Sequence, residues 1–209
     1  MILTSVQLDR AAGVLLGLAC GDALGVGYAF SEPMPDSAFV TMNGRVGLAP
    51  GEWSDATAMT LEIARATAAG QNVRDEATLD DIVAAWGESS GAASEPELRR
   101  RAVQAAVEPT AAAWREMASR RHERHGRSVD SGSLLRSAAV ALAHLDDPAA
   151  LAEAARAVSV LTHEHADAQD ACVLWGLAIR HAVLNGELNV RVGLPALAEG
   201  RRPLWWARL

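Results

Sequence analysis

The 209-residue chain is poor in aromatic side chains, which make up 4% of it. It has two cysteines, Cys20 and Cys172, and no Cys-x-x-Cys pair. That count excludes a disulfide framework and a cysteine zinc site; both thiols sit in apolar helical contexts and read as reduced core residues. An excess of basic residues is also missing. The net charge of −7 argues against a nucleic-acid surface as the main partner. No Walker loop, nucleophile elbow or dinucleotide-binding glycine fingerprint occurs. Internal repeats and low-complexity tracts are absent beyond a general alanine bias. The apolar run from Ala11 to Cys20 is too short to span a bilayer. No basic residue precedes Asp9-Arg10, and Gly17 stands where a lipoprotein signal favours Leu, so the run reads as a buried helix of a cytoplasmic protein.

Half the residues are hydrophobic, and they recur at helical rather than strand spacing, which predicts an all-α, single compact domain over residues 1–209. Ser5 can cap a first helix over Val6–Leu24. Gly13, Gly17, Gly21 and Gly25 share one face of it, and glycine costs roughly 1 kcal/mol in a helix interior. Tight helix packing is the expected reason for Gly13 and Gly17. A long loop, Gly27 to Pro50, precedes a helix over Asp55–Ala69 with Met59, Ile63 and Ala66 facing inward. Further helices are expected over Ala77–Trp86, after a Ser94/Glu97 capping box, over Thr110–Arg120, Leu134–Leu145, Pro148–Leu161 and Ala168–Leu184. The basic segment Arg120–Arg127, with His122 and His125, reads as a solvated face. His163 and His165 lie two apart, off a common helical face and without a third ligand, which argues against zinc. Beyond Leu184 the chain loosens, and Trp205-Trp206 at its end call for something to pack against.

Polar residues gather at turns and helix starts: Asp22, Ser54-Asp55, Ser131-Gly132-Ser133 and His163. Ser54 and Asp55 put oxygens beside free N–H groups at the mouth of a helix. Such an arrangement caps a helix, and it can also hold a hard cation such as Mg²⁺. Helix N-termini also favour phosphates. Composition and spacing therefore lead to a phosphate- or cation-binding helical domain.

Four segments make the reading specific. Gly13-x-x-x-Gly17-x-Ala19-x-Gly21-Asp22-Ala23-Leu24-Gly25 resembles the opening helix of the ADP-ribosylglycohydrolase family. Gly51-Glu52-Trp53-Ser54-Asp55-Ala56-Thr57-x-Met59 is similar to that family's G-x-[WY]-T-D-D-T-x-M metal motif. Ser131-Gly132-Ser133-Leu134-Leu135-Arg136 resembles its N-G-[GSA]-[LM]-M-R loop, and Thr162-His163-x-His165 its T-H-x-H-P. The resemblance implies an all-helical fold, an ADP-ribose or ADP-ribosylated protein ligand, two Mg²⁺ ions, and hydrolysis at ribose C1. It implies Asp55 as catalytic, Ser54 and Asp55 as metal ligands, and Asp22, Gly132, Ser133 and His163 as substrate-binding.

The departures carry expectations too. Ala56 replaces the second aspartate of the metal motif, and a methyl group cannot ligate Mg²⁺. Gly27 and Ala29 stand where many members have Pro and Glu. Ser131 replaces Asn, and Ala166 replaces Pro. No aspartate follows Asp170, so the family's late D-x-D-T motif is missing and the domain reads as C-terminally truncated. The expectation is a hydrolase fold with activity weakened or lost, or alternatively a non-catalytic ADP-ribose or partner-binding pseudoenzyme. A partner chain covering the C-terminal end is expected, with no membrane and no nucleic acid.

Overall fold

The computed structural model describes residues 1–29, 31–45, 47–88, 108–125 and 130–209, without the side chain of residue 125. The Ser94/Glu97 capping box and the His125 side chain lie outside these. The described elements are helices α1 (Ser5–Gly25), α2 (Asp55–Ala68), α3 (Glu76–Glu88), α4 (Ala111–His125), α5 (Ser137–Ala143), α6 (Pro148–Val160), α7 (Ala166–Asn185) and α8 (Arg202–Arg208), joined by short 3₁₀ turns. Among the described residues the only bridge pairing is Arg45 with Leu48. The all-helical expectation holds.

Helix starts follow local capping chemistry. At α1 the cap is Thr4, one residue before the expected Ser5: its Oγ1 accepts from Gln7 N–H at 3.3 Å, while Gln7 Oε1 accepts from Thr4 N–H at 3.0 Å. Asp147 caps α6 through the Ala149 and Ala150 amides, with Pro148 at the first helical position, where its missing N–H costs nothing. The helix expected over Leu134–Leu145 is split into a 3₁₀ turn, Leu134–Arg136, and α5.

The core is built on α7. Its Cys172, Val173, Leu174 and Ala178 are buried, as are Leu151, Ala154 and Ala155 of α6 and Ala139, Val140 and Ala141 of α5. Met59, Ile63 and Ala66 face inward from α2 as their spacing predicts. Trp86 of α3 and Trp114 of α4 meet at 5.7 Å between ring centroids.

Helix α1 departs from expectation. Among its residues only Ala23 is buried, and Leu16 is 65% exposed. Nothing approaches within 4 Å of where a side chain would start at Gly13, Gly17, Gly21 or Gly25. Tight packing is thus not what these glycines serve among the described residues, and Cys20 is exposed rather than a core thiol. The segment Ser5–Tyr28 is long and apolar enough, by length and composition, to cross a membrane, because helix continues well beyond the Ala11–Cys20 run. Its other face is tied to the domain. Gln7 Nε2 and Arg10 Nη1 donate to the Leu184 and Val183 carbonyls at the end of α7, at 3.0 and 3.4 Å. Arg10 can reach there because Gly186 closes α7 at φ 81°; a Cβ at that position would stand 2.5 Å from its guanidinium.

The C-terminal segment does not loosen. Asp170 Oδ2 accepts from Arg201 Nε at 2.7 Å and Trp205 Nε1 at 2.9 Å. Asp167 accepts from Arg201 and, at 2.8 Å, from Arg208. Those two guanidiniums hold the Asp167 carboxyl below the usual aspartate range. Trp205 packs against the core, whereas Trp206 stays exposed under Arg191, 5.0 Å away. The tryptophan pair thus finds part of its cover within the chain.

Candidate active-site cleft

A cavity of about 980 Å³ opens between α1, the start of α2, the 131–138 segment and α7. Its polar lining includes Asp22, Ser54, Asp55, Ser131 and Arg45. The opposite wall is apolar, with Leu18, Leu135, Trp175 and Ile179. Gly17, Gly21 and Gly25 form the α1 side, where the missing side chains leave the space open. The loop expected from Gly27 to Pro50 is fastened to this edge. The Tyr28 hydroxyl donates to Thr41 O and accepts from Thr41 N, both at 2.9 Å. Hydrogen bonding to Thr41, first its side chain and then its backbone, with a smaller part from Asn43, holds the phenol below its ordinary pKa. Gly27 lets the loop lie this close, since a Cβ there would collide with the Asn43 carbonyl.

Of the six residues expected at the site, three line the cleft and three do not. Asp22 is present, but its carboxylate is engaged as a cap in trans for α2. Its Oδ2 accepts from Ser54 N at 2.9 Å, Thr57 N at 3.1 Å and Thr57 Oγ1 at 2.7 Å, and its Oδ1 from Ser54 Oγ at 2.7 Å. Ser54 in turn caps Ala56 N at 3.1 Å. The helix N-terminus that could have received a phosphate holds the protein's own carboxylate instead. Asp55 occupies the first helical position, lines the cleft and is half-buried.

Gly132, Ser133 and His163 are placed elsewhere. The Gly132 amide donates to Asp130 Oδ1 at 2.8 Å. Ser133 is buried, with its Oγ 3.1 Å from Ser159 Oγ and 3.4 Å from Cys172 Sγ. A 3₁₀ turn starting at Leu134 rotates it inward. His163 is wholly buried rather than facing the cleft. His122 is not simply solvated either, since its ring meets that of His165 edge-on at 5.4 Å. In the 131–133 turn it is Ser131 that faces the cavity. Ser131 was expected only as part of the polar ridge and the loop motif, and Arg45 and Trp175 were not singled out. Arg45 lies inside the loop just before the Ser54-Asp55 motif, the one local signal that pointed to it.

The donors at the start of α2 do not fit a pair of Mg²⁺ ions. Mg²⁺ demands near-octahedral oxygen coordination, anchored by carboxylates. Here Asp55 supplies one carboxylate, Ala56 a methyl group, and Asp22 and Ser54 are bonded to each other. No group of three His, Cys, Asp or Glu side chains able to hold a metal occurs among the described residues.

The ADP-ribosylglycohydrolase family model matches residues 3–205. The chain belongs to the ADP-ribosylglycohydrolase family. It is 29% identical over 181 residues to the ADP-ribosyl-[dinitrogen reductase] glycohydrolase of Rhodospirillum rubrum, covering 84% of this chain and 58% of that protein. It is 41% identical over 90 residues to the ADP-ribosylarginine hydrolase Tri1 of Pseudomonas putida (strain GB-1), covering 40% of this chain and 23% of that one. Among solved structures it resembles an ADP-ribosylglycohydrolase-related protein complex with a TM-score of 0.56 and 24% identity, over 91% of this chain and 61% of the other. The chain therefore spans well under two thirds of the length of these relatives.

Proposed function

We propose that the cleft binds ADP-ribose carried on a protein side chain, and that hydrolysis of the ribose C1 bond is weak or absent in this chain. The carrying observation is that two family motifs far apart in sequence, Ser54-Asp55 and Ser131, line one cavity. A volume near 980 Å³ is at the upper end of ordinary ligand sites. Arg45 supplies positive charge for a diphosphate, and Trp175 an aromatic face for a base. The activities for which the relatives are named, toward ADP-ribosylated dinitrogen reductase and toward ADP-ribosylarginine, support that ligand class.

Hydrolysis would form a bond from a water oxygen to C1 and break the bond from C1 to the leaving nitrogen. Asp55, which lines the cleft, would take the water proton, and the nitrogen would leave with a proton from solvent. A Mg²⁺ ion held at a complete motif of this kind would polarise the ribose hydroxyls and position the water. With Ala56 at the second position that assistance is not built, and weak turnover follows. A specific observation favours a pure binding role as the second reading: the Asp22 carboxylate on the cleft wall is already taken up by Ser54 and Thr57.

Calorimetric titration of ADP-ribose into the chain, with Mg²⁺ and with EDTA, tests both. Equal binding in the two conditions, with little release of ADP-ribose from ADP-ribosylarginine, is the expected result. Binding that requires Mg²⁺ would overturn the metal argument, and no binding in either buffer would overturn the ligand.

A further inference from the structure

Although His163 leaves the cleft, an unbroken line of bonds runs from it back to the rim. Arg136, 1% exposed, lies with its guanidinium carbon 4.6 Å from the Trp86 ring centroid. Its Nη2 donates to Thr162 Oγ1 at 2.6 Å. The same oxygen lies 2.7 Å from His163 Nδ1. On the other side of the ring, His163 Nε2 lies 2.6 Å from Asp130 Oδ1. That oxygen also accepts the Gly132 amide, and Asp130 is the residue before Ser131.

We infer that His163 is a positioning residue: as a neutral imidazole protonated on Nε2, it holds Asp130, and through Asp130 the turn that presents Ser131 to the cleft. The tautomer follows from counting protons. A guanidinium is always a donor, so Arg136 takes one lone pair of the Thr162 hydroxyl. The Asp130 carboxylate can only accept, so it claims the one ring proton of a neutral imidazole, and Nδ1 is left to accept the Thr162 hydroxyl proton. The ring proton is left on Nε2, where it meets the Asp130 carboxylate. Full burial of the ring and the buried guanidinium one hydroxyl away both oppose a second ring proton, against the attraction of the half-exposed Asp130 carboxylate. In a histidine bonded on both nitrogens, the partner of one nitrogen fixes what the other can do. The Arg136 side chain thereby bears on the Asp130 end of a turn whose other end its own amide holds, donating to the Ser133 carbonyl at 3.3 Å.

The role of Ser131 as a ligand contact rests on the reading that the cleft binds ADP-ribose; the relay itself does not. The test is long-range ¹H–¹⁵N correlation on the labelled, ligand-free chain, which distinguishes the two tautomers directly. Expected are a protonated Nε2 and an unprotonated Nδ1 at His163. Thr162→Ser should keep that pattern. Thr162→Val should shift the Nδ1 resonance and move the Ser131 and Gly132 amides. Asp130→Asn should move the same amides and weaken ADP-ribose binding roughly tenfold, the equivalent of one hydrogen bond. A proton on Nδ1 would overturn the proposal even if the valine variant failed to fold. So would Ser131 and Gly132 amides unmoved in both Thr162→Val and Asp130→Asn. If the unaltered chain does not bind ADP-ribose, the ligand reading fails alone, because the amide shifts decide the relay without it.

Discussion

Asp22→Ala removes the carboxylate that joins α1 to α2, and its cost can be built from the bonds lost. Four donors lose their acceptor: two backbone amides and two hydroxyls, at 2.7 to 3.1 Å. Hydrogen bonds to a charged group contribute about 1.5–3 kcal/mol each. They share one half-buried carboxylate, and water can reach part of what is left, so a simple sum overshoots. The hydroxyls of Ser54 and Thr57 can rotate toward water, whereas the two amides are fixed. Loss of a helix cap alone costs about 0.5–2 kcal/mol. Two capped amides together with the severed α1–α2 link bring the expected destabilisation to about 3 kcal/mol. At this chain length that is a fall in Tm of about 6–12 °C. Asp22→Asn keeps one carbonyl oxygen for the amides and should lose about half as much by the same bookkeeping. Urea unfolding followed by far-ultraviolet circular dichroism reads both, with the midpoint moving and the slope unchanged. An alanine variant within about 0.5 kcal/mol of the unaltered chain would refute the cap, since that is the range of ordinary surface changes.

Two glycine substitutions should move stability in opposite directions. Gly27→Ala pushes a Cβ into the Asn43 carbonyl group, whose carbon would lie 2.9 Å away, and should cost about 1–3 kcal/mol. Gly13→Ala meets nothing within 4 Å and should stabilise by up to about 1 kcal/mol through helix propensity; thermal melts of the pair check this. The Asp167 carboxyl is held below its ordinary range, first by its bond to Arg201 and then by Arg208. A depressed folded-state pKa gives stability that is present above the unfolded value near 3.9 and lost as pH falls through the lower folded value. Trp205 and Trp206 fluorescence should therefore report release of α8 only below about pH 4. Asp167→Asn should abolish that acid phase, and a transition near neutral pH would contradict the assignment. Ala56→Asp adds one carboxylate to a donor set that remains short of two octahedral shells, so Mg²⁺-dependent release of ADP-ribose should stay undetectable; turnover by that single variant would show the site argument to be wrong.

The long elements were legible because their cues are local. Asp147-Pro148 announces α6, and the apolar periodicity of Met59, Ile63 and Ala66 gives the inner face of α2. The order of the four motifs was enough to name the family. The destinations of single polar side chains were not legible. Asp22 between two glycines has the same local signature whether it meets a ligand or the amides of another helix, and only the packing of α1 beside α2 decides. Ser133 and His163 were misplaced because a 3₁₀ turn and the chain reversal after α6 turn them inward. No spacing rule encodes that rotation. The exposed side of α1 was misread for a related reason. Apolar and small residues at helical spacing show that a face is uncharged, but not that anything in the chain covers it.

The bare side of α1 has a consequence for how the molecule breathes. Helices α1 and α7 are nearly equal in length, 21 and 20 residues, yet α7 is sunk in the core, while α1 rests on it through the half-buried Ala11, Val14 and Leu18 and through bonds near its two ends. Between Arg10 and Asp22 its water side carries Ala12, Gly13, Leu16, Gly17, Cys20 and Gly21, and the three glycines give the backbone amides no side-chain cover. Those amides should exchange with deuterated solvent through local opening, with a free energy well below that of global unfolding. The amides of α7 should exchange only when the whole domain opens. The first helix of the sequence would then be among the last to be secured and the first to let go.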